Sequence, residues 1–530
     1  HGTHVASVAA GARSSERNPV AGGLAPGAAL VDMRVLGADG MGQLDEVLAG
    51  IDCAIRRSAE LGVRVLNLSL ATDSRESYIT DPLCQAVRVA TAAGITVVVA
   101  AGNFGSNGSN ESNGNKREVY GRIGSPGIDP SVITVGSAHW RGTVPRADDS
   151  VNQFSSRGPT RGVLWVGGRS VGPDNLLKPD LLAPGNRIPG AMATAPDGRR
   201  PALVADNPSL EMPLPGLPLN GRLMELSGTS VAAPVIAGAA ALLLEANPGL
   251  TPPLIKAMLQ YSAEPLAGAN VLQQGTGKVN LPGALALAGA LRTDVATRIA
   301  NGSLPAGGNL LREGQRLPDP RSIIALAPVS WSRMIFAGGN QVISGEALFT
   351  RMQPIWDPRL SWGPRMTLHT ASAAGVAGPV SLPGSLSAPL AVRPLPMRPA
   401  GVAPPTSLQV PEPSQVQTSV LRSQQLLTPG VTVASSLFGP QTNASTGVMR
   451  AVTFVRDLLA AGAGPVLRGQ GIVLAEGIVM AEGLGKPGSN VMADGIVMAE
   501  GIVMAEGIVM AEGIVMAEQR IKGESAVRED

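Results

Sequence analysis

The chain has 530 residues, a formal net charge of +2 and 44% hydrophobic residues, which is enough apolar content to exclude a chain that is disordered throughout. The small net charge gives no electrostatic case for a nucleic acid or an anionic membrane as a partner. Two cysteines exclude a disulfide-dense scaffold and a zinc site built from several cysteines. The longest apolar run, residues 231–244, is too short to span a bilayer, so we expect no membrane span.

Strand-like and helix-like segments alternate along residues 1–290. Runs of Val, Ile and Leu predict strands, and apolar residues at helical spacing predict helices. In chain order, the predictions are strands at 28–36, 63–70, 95–101 and 132–135, and helices at 44–60, 82–93 and 230–246. Nearly continuous apolar runs are typical of strands buried on both faces. We therefore expect an α/β domain over residues 1–290, with a mostly parallel sheet and helices on both faces.

The composition changes after residue 290. Residues 291–378 contain only weak strand patterns, at 322–329 and 341–344, so we expect a weakly structured region with short strands. Residues 379–465 are rich in proline and predict an extended linker. The domain-like part of the sequence is therefore expected to end near residue 290.

Residues 466–530 form a tail with a six-residue repeat. Copies of Gly-Ile-Val-Met-Ala-Glu, the first with Leu474 in place of Met, begin at Gly471, Gly477, Gly495, Gly501, Gly507 and Gly513. An extended chain would place Ile, Met and Glu on one face, which suits a stack of short strands used for attachment or export. The simpler alternative, which we favour, is a low-complexity tail without fixed structure. The sequence indicates no partner for this tail.

Ser230 is the first candidate for chemistry. It follows Gly228 and Thr229 and opens the predicted helix at 230–246. A serine hydroxyl becomes a nucleophile when a base takes its proton, and the free N–H groups and positive dipole end of a helix N-terminus favour a developing oxyanion. Taken alone, the segment fits equally well a serine that only caps the helix.

Two histidines, His1 and His4, begin a segment of small residues. A metal site is disfavoured, because the zinc-binding helical motif needs a spacing of four and a glutamate beside the first histidine. The alternative is that one histidine is a general base and the other a packed neighbour. No motif surrounds His139 or His369.

Asn103 directly follows the predicted strand at 95–101. Its amide would lie at the carboxyl end of a parallel strand, where ligands bind in open α/β sheets, and could donate to an oxyanion. An ordinary turn asparagine is the alternative.

These three segments together resemble the subtilisin-like serine peptidases, the subtilase family. HGTHVA (1–6) is similar to the histidine motif, AAGN (100–103) to the oxyanion asparagine motif and GTSVAAP (228–234) to the serine motif, in the family's order. Further similar stretches lie at 23–27, 66–70, 125–127, 154–160, 178–185 and 275–280. The resemblance covers residues 1 to about 288 and implies a peptidase with polypeptide substrates, acting outside the cell or in the cell envelope.

The resemblance also implies roles for individual residues. His1 would be the general base, Ser230 the nucleophile, and the Asn103 side chain with the Ser230 N–H the oxyanion donors. The segment Ser69, Leu70 and Ala71 would pair with substrate backbone, while Ala100, Ala101, Gly102, Gly124, Ser125 and Pro126 would line the pocket for the side chain before the scissile bond. Supporting motif residues are Gly2, Thr3, Gly228, Thr229 and Pro234. Small pocket residues imply tolerance of sizeable apolar side chains, and the Ser125–Pro126 peptide is expected to be cis.

The family's third triad member is an aspartate in an Asp-Ser/Thr-Gly context, upstream of the histidine. No aspartate of this sequence has that context: Asp39 is in a loop, Asp494 is in the repeat and Asp32 is in a predicted strand. We therefore expect the chain as given to be a fragment that is inactive or barely active. The alternative functions are a catalytically dead binding or structural module, or a peptidase domain that processes its own tail between about 290 and 420.

No cofactor is expected. Calcium is often structural in the resembled family, but the loop at 12–23 lacks an evident carboxylate cage, so no calcium or other metal site is predicted. Cys53 and Cys84 both fall in predicted helices, and free thiols are favoured over a disulfide.

Overall fold

The computed structural model describes residues 1–12, 22–37, 40–107, 117–193, 198–212, 222–338 and 341–361, with strands at 367–371, 416–420, 432–433 and 449–450. Apart from those strands, the predicted linker and the repeat tail lie outside the described residues. The helices are α1 (Gly2–Ala10), α2 (Leu44–Arg56), α3 (Ser58–Leu61), α4 (Pro82–Ala92), α5 (Ala202–Asp206), α6 (Thr229–Ala246), α7 (Pro252–Ser262), α8 (Val271–Gln274), α9 (Leu281–Ala290), α10 (Val295–Ala300) and α11 (Ala347–Thr350). The strands are β1 (Val65–Leu68), β2 (Thr96–Ala100), β3 (Ser106–Asn107), β4 (Arg117–Glu118), β5 (Ile133–His139), β6 (Ser150–Val151), β7 (Val163–Val166), β8 (Arg169–Pro173), β9 (Leu181–Pro184), β10 (Ile188–Ala191), β11 (Leu223–Leu226), β12 (Arg321–Ile324), β13 (Ala327–Ser330), β14 (Ile335–Ala337), β15 (Gln341–Ser344), β16 (Leu360–Ser361), β17 (Thr367–Ala371), β18 (Val416–Val420), β19 (Thr432–Val433) and β20 (Met449–Arg450).

The central sheet is built from the Val- and Leu-rich runs that the sequence analysis singled out. Its parallel strands are ordered β1-β2-β5-β9, and β6 adds to β5 in the antiparallel sense. All five residues of β2 are buried, as expected of a strand covered on both faces. The predicted α/β fold with a mostly parallel sheet is confirmed.

Alternate residues of β2 enter two different cores. Val98 and Ala100 belong to the cluster that contains α6, α7 and α9, whereas Val97 and Val99 belong to the cluster formed with α2 and α4. This is the period of two expected for a strand. Helices therefore cover both faces of the sheet, and α6 lies directly against its strands.

One predicted strand is wrong. Residues 28–36 form no strand, and Leu30 and Val31 are 58% and 43% exposed. The apolar run predicted burial, but a strand also needs a neighbour that takes up its backbone hydrogen bonds. No strand in the described part of the chain pairs with this segment.

The segment that follows residue 290 packs on the same core. Leu291, Val295 and Leu310 lie in the cluster that contains α6. Aromatic side chains join this segment to α7, with the Tyr261 ring centroid 4.9 Å from that of Phe349. The weak strand patterns correspond to the β12–β13 hairpin and to β15. Residues 291–361 are thus continuous in packing with the preceding domain, across the division at 290 that the composition suggested.

Within the described residues, α6 is the one helix long and apolar enough to cross a membrane, and 72% of it is buried inside the fold. A helix in the core of a protein can be as long and as apolar as a helix that crosses a membrane.

Cys53 and Cys84 are both free thiols, and burial raises the pKa of the Cys84 thiol well above its ordinary value.

Candidate active site

Helix α1 is fastened to strand β10 by two hydrogen bonds. The His4 Nε2–H donates to the Ile188 carbonyl at 2.8 Å, and the Ala191 N–H donates to Ser7 Oγ at 2.8 Å. Because residue number rises along both elements between these contacts, α1 and β10 run in the same direction. His1 stands at the N-cap of α1, and its carbonyl accepts from the Val5 N–H at 3.0 Å.

Strand β11 returns the chain to the beginning of α1. It pairs antiparallel with β10, with Leu226 opposite Ile188, so that its carboxyl end lies beside the first turn of α1. Helix α6 begins three residues later and runs along α1. A Cβ added to Gly238 would lie 2.8 Å from the Ala9 carbonyl oxygen, which places that pair in direct contact.

His1 and Ser230 therefore lie at the same end of two parallel helices. Each residue is eight positions upstream of the contact between Ala9 and Gly238, so equal helical rise brings both to the same level. The Ser230 residue is 2% exposed, and its Oγ has no hydrogen-bond partner in the described part of the chain. His1 Nε2 is likewise buried without a partner among those residues.

Ser230 does not cap its helix. The N-cap of α6 is Gly228, and Ser230 is the second helical residue, so the alternative of a capping serine is wrong. A buried hydroxyl and a buried ring nitrogen that are both unpaired cost free energy. Such groups are consistent with a site whose partner is a bound ligand.

The Asn103 side chain is held in one orientation by Thr229. Its Oδ1 accepts from the Thr229 N–H at 2.9 Å and from the Thr229 hydroxyl at 3.1 Å, which leaves Nδ2 as the free donor end. A Cβ added to Gly228 would lie 3.0 Å from Ser230 Oγ and 3.5 Å from Asn103 Nδ2. The nucleophile candidate and the amide donor therefore border the same small space, which glycine keeps open.

His4 is the packed neighbour of the pair. Its side chain is fully buried, Nε2 is bonded to the Ile188 carbonyl, and Nδ1 has no partner among the described residues. Burial lowers the pKa of His4 to about 4, so the ring is neutral at physiological pH. Among the described residues, no carboxylate accepts a hydrogen bond from the His1 ring, and no group of three or more potential metal ligands occurs.

The segment that includes Ser69, Leu70 and Ala71 lies beside the start of α6. Ser69 Oγ donates to the Ser230 carbonyl at 2.6 Å, and Leu70 and Ala71 are buried. The next residue, Thr72, exchanges backbone hydrogen bonds of 2.9 and 2.8 Å with Ser125. The predicted substrate strand and the predicted pocket segment are therefore neighbours.

The predicted pocket residues contribute mainly backbone. Ala100 and Ala101 have their side chains in two core clusters, and the Ser125 hydroxyl donates to Asp81 Oδ1 at 2.8 Å while fully buried. Gly102, which has φ +97, donates its N–H to the Thr229 hydroxyl at 3.1 Å, and the Gly124 N–H donates to the Ala101 carbonyl at 3.1 Å. The Ser125–Pro126 peptide is cis, which confirms that expectation.

The supporting motif residues divide between surface and core. Gly2 and Thr3 are exposed on the first turn of α1, and Pro234 is buried inside α6. Thr229 was named from the sequence as a supporting motif residue, but the role of its hydroxyl, which contacts both Asn103 and Gly102, was not predicted. The signal available was its place beside Ser230, but the contact joins residues that are more than 120 positions apart.

A buried charge cluster beneath the sheet was also missed. Asp180 accepts from the ammonium groups of Lys178 at 2.7 Å and Lys256 at 2.9 Å, and all three side chains are almost fully buried. Burial lowers the pKa of Lys256 to about 7. The cluster joins α7 to the residues just before β9, and it supports the sheet whose carboxyl ends carry the site.

Comparison with known proteins finds a matching family, similar sequences and similar solved structures. The sequence model of the subtilase family matches residues 1–280. The chain is 33% identical over 285 residues to serine protease AprX of Bacillus subtilis (strain 168), covering 53% of this chain and 56% of AprX. It is 30% identical over 284 residues to subtilisin NAT of Bacillus subtilis subsp. natto, covering 54% and 55%. The chain thus spans little more than half the length of these curated relatives. Among solved structures, fervidolysin from Fervidobacterium pennivorans is similar at 24% identity and a TM-score of 0.38, covering 54% of this chain and 35% of that one.

Proposed function

Since the chain belongs to the subtilase family, we propose that it carries the catalytic centre of a serine endopeptidase, with Ser230 as nucleophile, His1 as general base and Asn103 as oxyanion donor. The observation that carries the proposal is the space beside Gly228, which Ser230 Oγ and Asn103 Nδ2 border together. The register of α1 and α6 supports His1 as the base, because it puts residues 1 and 230 at the same level of the two helices.

The proposed chemistry follows from these positions. Ser230 Oγ attacks the carbonyl carbon of a peptide bond while His1 Nε2 takes the hydroxyl proton, and the C=O electrons move to the oxygen. Asn103 Nδ2–H stabilises the oxyanion by a hydrogen bond. The amide needs no reorganisation in the transition state, because Thr229 already holds its Oδ1. His1 returns the proton to the leaving amine as the peptide C–N bond breaks. A water molecule, deprotonated by His1, then attacks the acyl group on Ser230, which releases the carboxylic acid and restores the serine hydroxyl.

The proposed substrate is an extended polypeptide. The segment 69–71 and its neighbour at 124–126 would offer backbone groups to it in the manner of an added strand. No metal or cofactor takes part in the proposed steps. From its membership of the subtilase family, we place the enzyme outside the cytoplasm, in the cell envelope or the medium.

The 530-residue chain by itself is proposed to be a poor catalyst. None of its aspartates has the Asp-Ser/Thr-Gly context, and the acid of a triad holds the imidazole in the correct tautomer and stabilises the imidazolium. In a subtilisin, loss of the acid alone lowers turnover by about 3 × 10⁴. We expect the turnover of this chain to be lowered by at least that factor.

The test compares casein hydrolysis by the 530-residue chain and by the same chain joined to an upstream subtilase segment with an Asp-Thr-Gly motif. We expect hydrolysis by the joined form to be greater by about 10⁴ and to be lost in Ser230→Ala. Each form is checked for folding by circular dichroism. A folded joined form that hydrolyses no peptide bond, or a rate unchanged in Ser230→Ala, would contradict the peptidase and favour the binding-module alternative.

A further inference from the structure

The β7–β8 hairpin presents apolar side chains to solvent. Trp165 is 64% exposed and Val166 is 60% exposed. Since neighbouring residues of a strand point to opposite faces, exposure of both shows that the hairpin tip stands clear of the body on either side. An exposed tryptophan on a stable element is the residue type that most often dominates a protein contact.

The base of this hairpin is firmly attached. The Val163 N–H donates to the Arg75 carbonyl at 2.9 Å, and the Ser77 N–H donates to the Val163 carbonyl at 3.2 Å. Asp174, just beyond β8, accepts from the Ser77 hydroxyl at 2.6 Å and from the Tyr78 N–H at 3.0 Å. The tip is therefore held at a fixed place relative to residues 75–78.

A β-bulge lies immediately before the tryptophan. Val163 pairs with Pro173 and Trp165 pairs with Ser170, so β8 carries one extra residue between the two pairs. Bulges of this kind re-aim side chains and occur often beside active sites. The extra residue lies on β8, opposite the strand that carries Trp165, and increases the local twist of the hairpin.

The anchored segment is continuous with the proposed substrate strand. Residues 75–78 follow 69–71 after three intervening residues, the first of which, Thr72, is bridged to Ser125. From Ala71 to Trp165 the path runs through the Glu76–Val163 bridge and spans no more than about 30 Å, the length of about nine extended residues. One extended polypeptide can therefore reach both.

We propose that the β7–β8 hairpin is a second contact site for the polypeptide substrate, in which Trp165 packs on an apolar side chain several residues away from the scissile bond. This inference rests on the proposed function and specifies its substrate as a long, unfolded chain rather than a short peptide. Binding at two places on one chain raises the affinity for long substrates alone.

The experiment measures binding to the full chain carrying Ser230→Ala, so that no substrate is cleaved. The probes are a 16-residue peptide with Leu at every fourth position among Ser and Thr, and a 4-residue peptide of the same composition. The chain has five tryptophans, so the emission and its quenching by acrylamide are compared with those of Trp165→Ala, and the difference reports Trp165. The matched control is Leu326→Ala, which removes a side chain 97% exposed on the β12–β13 hairpin.

We expect the 16-residue peptide to shift the emission to shorter wavelength, and Trp165→Ala to weaken its binding about tenfold while Leu326→Ala leaves it unchanged. Binding of the 4-residue peptide should be the same in all three proteins. Equal affinity of the long peptide with and without Trp165, or no binding of it at all, overturns the proposal. If the Trp165 part of the emission is already protected from acrylamide without peptide, the proposal is also overturned, because a second copy or another segment of the chain then covers the hairpin.

The two proposals fail separately. If no Ser230-dependent hydrolysis is found but binding of the long peptide depends on Trp165, the peptidase proposal is contradicted and the contact-site proposal is supported. If hydrolysis depends on Ser230 but Trp165→Ala does not change kcat/KM for long substrates, the peptidase proposal is supported and the contact-site proposal is contradicted.

Discussion

The neutral, buried His4 predicts a specific loss of stability in mild acid. Its pKa is about 4 in the folded chain against 6.5 in the unfolded chain, because burial disfavours the charged ring. Between these values the unfolded chain binds a proton that the folded chain does not, so stability falls as the pH is lowered from about 6.5 to about 4. At 1.36 kcal/mol for each pKa unit, the loss is about 3 kcal/mol.

Urea unfolding of the full chain at pH 7 and pH 4 measures this loss, with His4→Gln as the comparison. A glutamine amide can still donate to the Ile188 carbonyl but does not titrate, and all other titrating groups are common to both proteins. We expect the wild-type chain to lose about 3 kcal/mol more than the variant. His139→Gln, at a half-buried histidine, should behave nearly like the wild type.

The reasoning is refuted if the wild-type chain and His4→Gln lose the same free energy of unfolding within about 0.5 kcal/mol. Should His4→Gln not fold, titration of the His4 ring by nuclear magnetic resonance in the wild-type chain decides the matter. An apparent pKa above 6 would contradict the account.

Two further predictions concern the packing of the site. Gly228→Ala should lower the free energy of unfolding by about 2 kcal/mol, because φ is +149 and the new Cβ would stand 3.0 Å from Ser230 Oγ. Gly62→Ala, at φ +66 with nothing within 4 Å of its Cβ, is the control and should cost less; equal urea midpoints would contradict the contact. Asp180→Asn should cost about 3–5 kcal/mol by removing the carboxylate that the buried Lys178 and Lys256 side chains share. Urea unfolding at pH 7 measures this cost, and a cost under 1 kcal/mol would refute the buried network.

The parts of the fold that the sequence predicted are those whose signal is local. Strands β1, β2 and β5 are short apolar runs between turns, and α6 is a long run of small apolar residues. The strand predicted at 28–36 failed because a strand also depends on a partner that no local pattern reveals. The periodicity of apolar residues predicts which side of a segment is buried, but it does not show whether another strand is available to pair with that segment.

The packing after residue 290 could not be predicted for a related reason. Trp331 lies against Gly283, where an added Cβ would stand 2.8 Å from the ring, and the Thr251 hydroxyl donates to the Trp356 carbonyl at 2.8 Å. These contacts join residues far apart in the chain. Such contacts produce no helical or strand periodicity in the sequence, so the sequence predicts a weakly structured region.

The candidate site shows the same division. Asn103 could be placed at the end of a buried strand from sequence, and Ser230 at the start of a helix. The contact by which the Thr229 hydroxyl orients the Asn103 amide is known only from the three-dimensional structure, and so is the packing of His4 against Ile188.

A crystal structure of the full chain with a peptide boronate tests the central assignment most directly, since this transition-state analogue does not require turnover. The account predicts a covalent bond between boron and Ser230 Oγ, with one boronate oxygen within about 3 Å of Asn103 Nδ2 and the His1 Nε2 within hydrogen-bond reach of the serine oxygen. Boronate bound elsewhere, or a His1 ring turned away from Ser230 in the adduct, would contradict it.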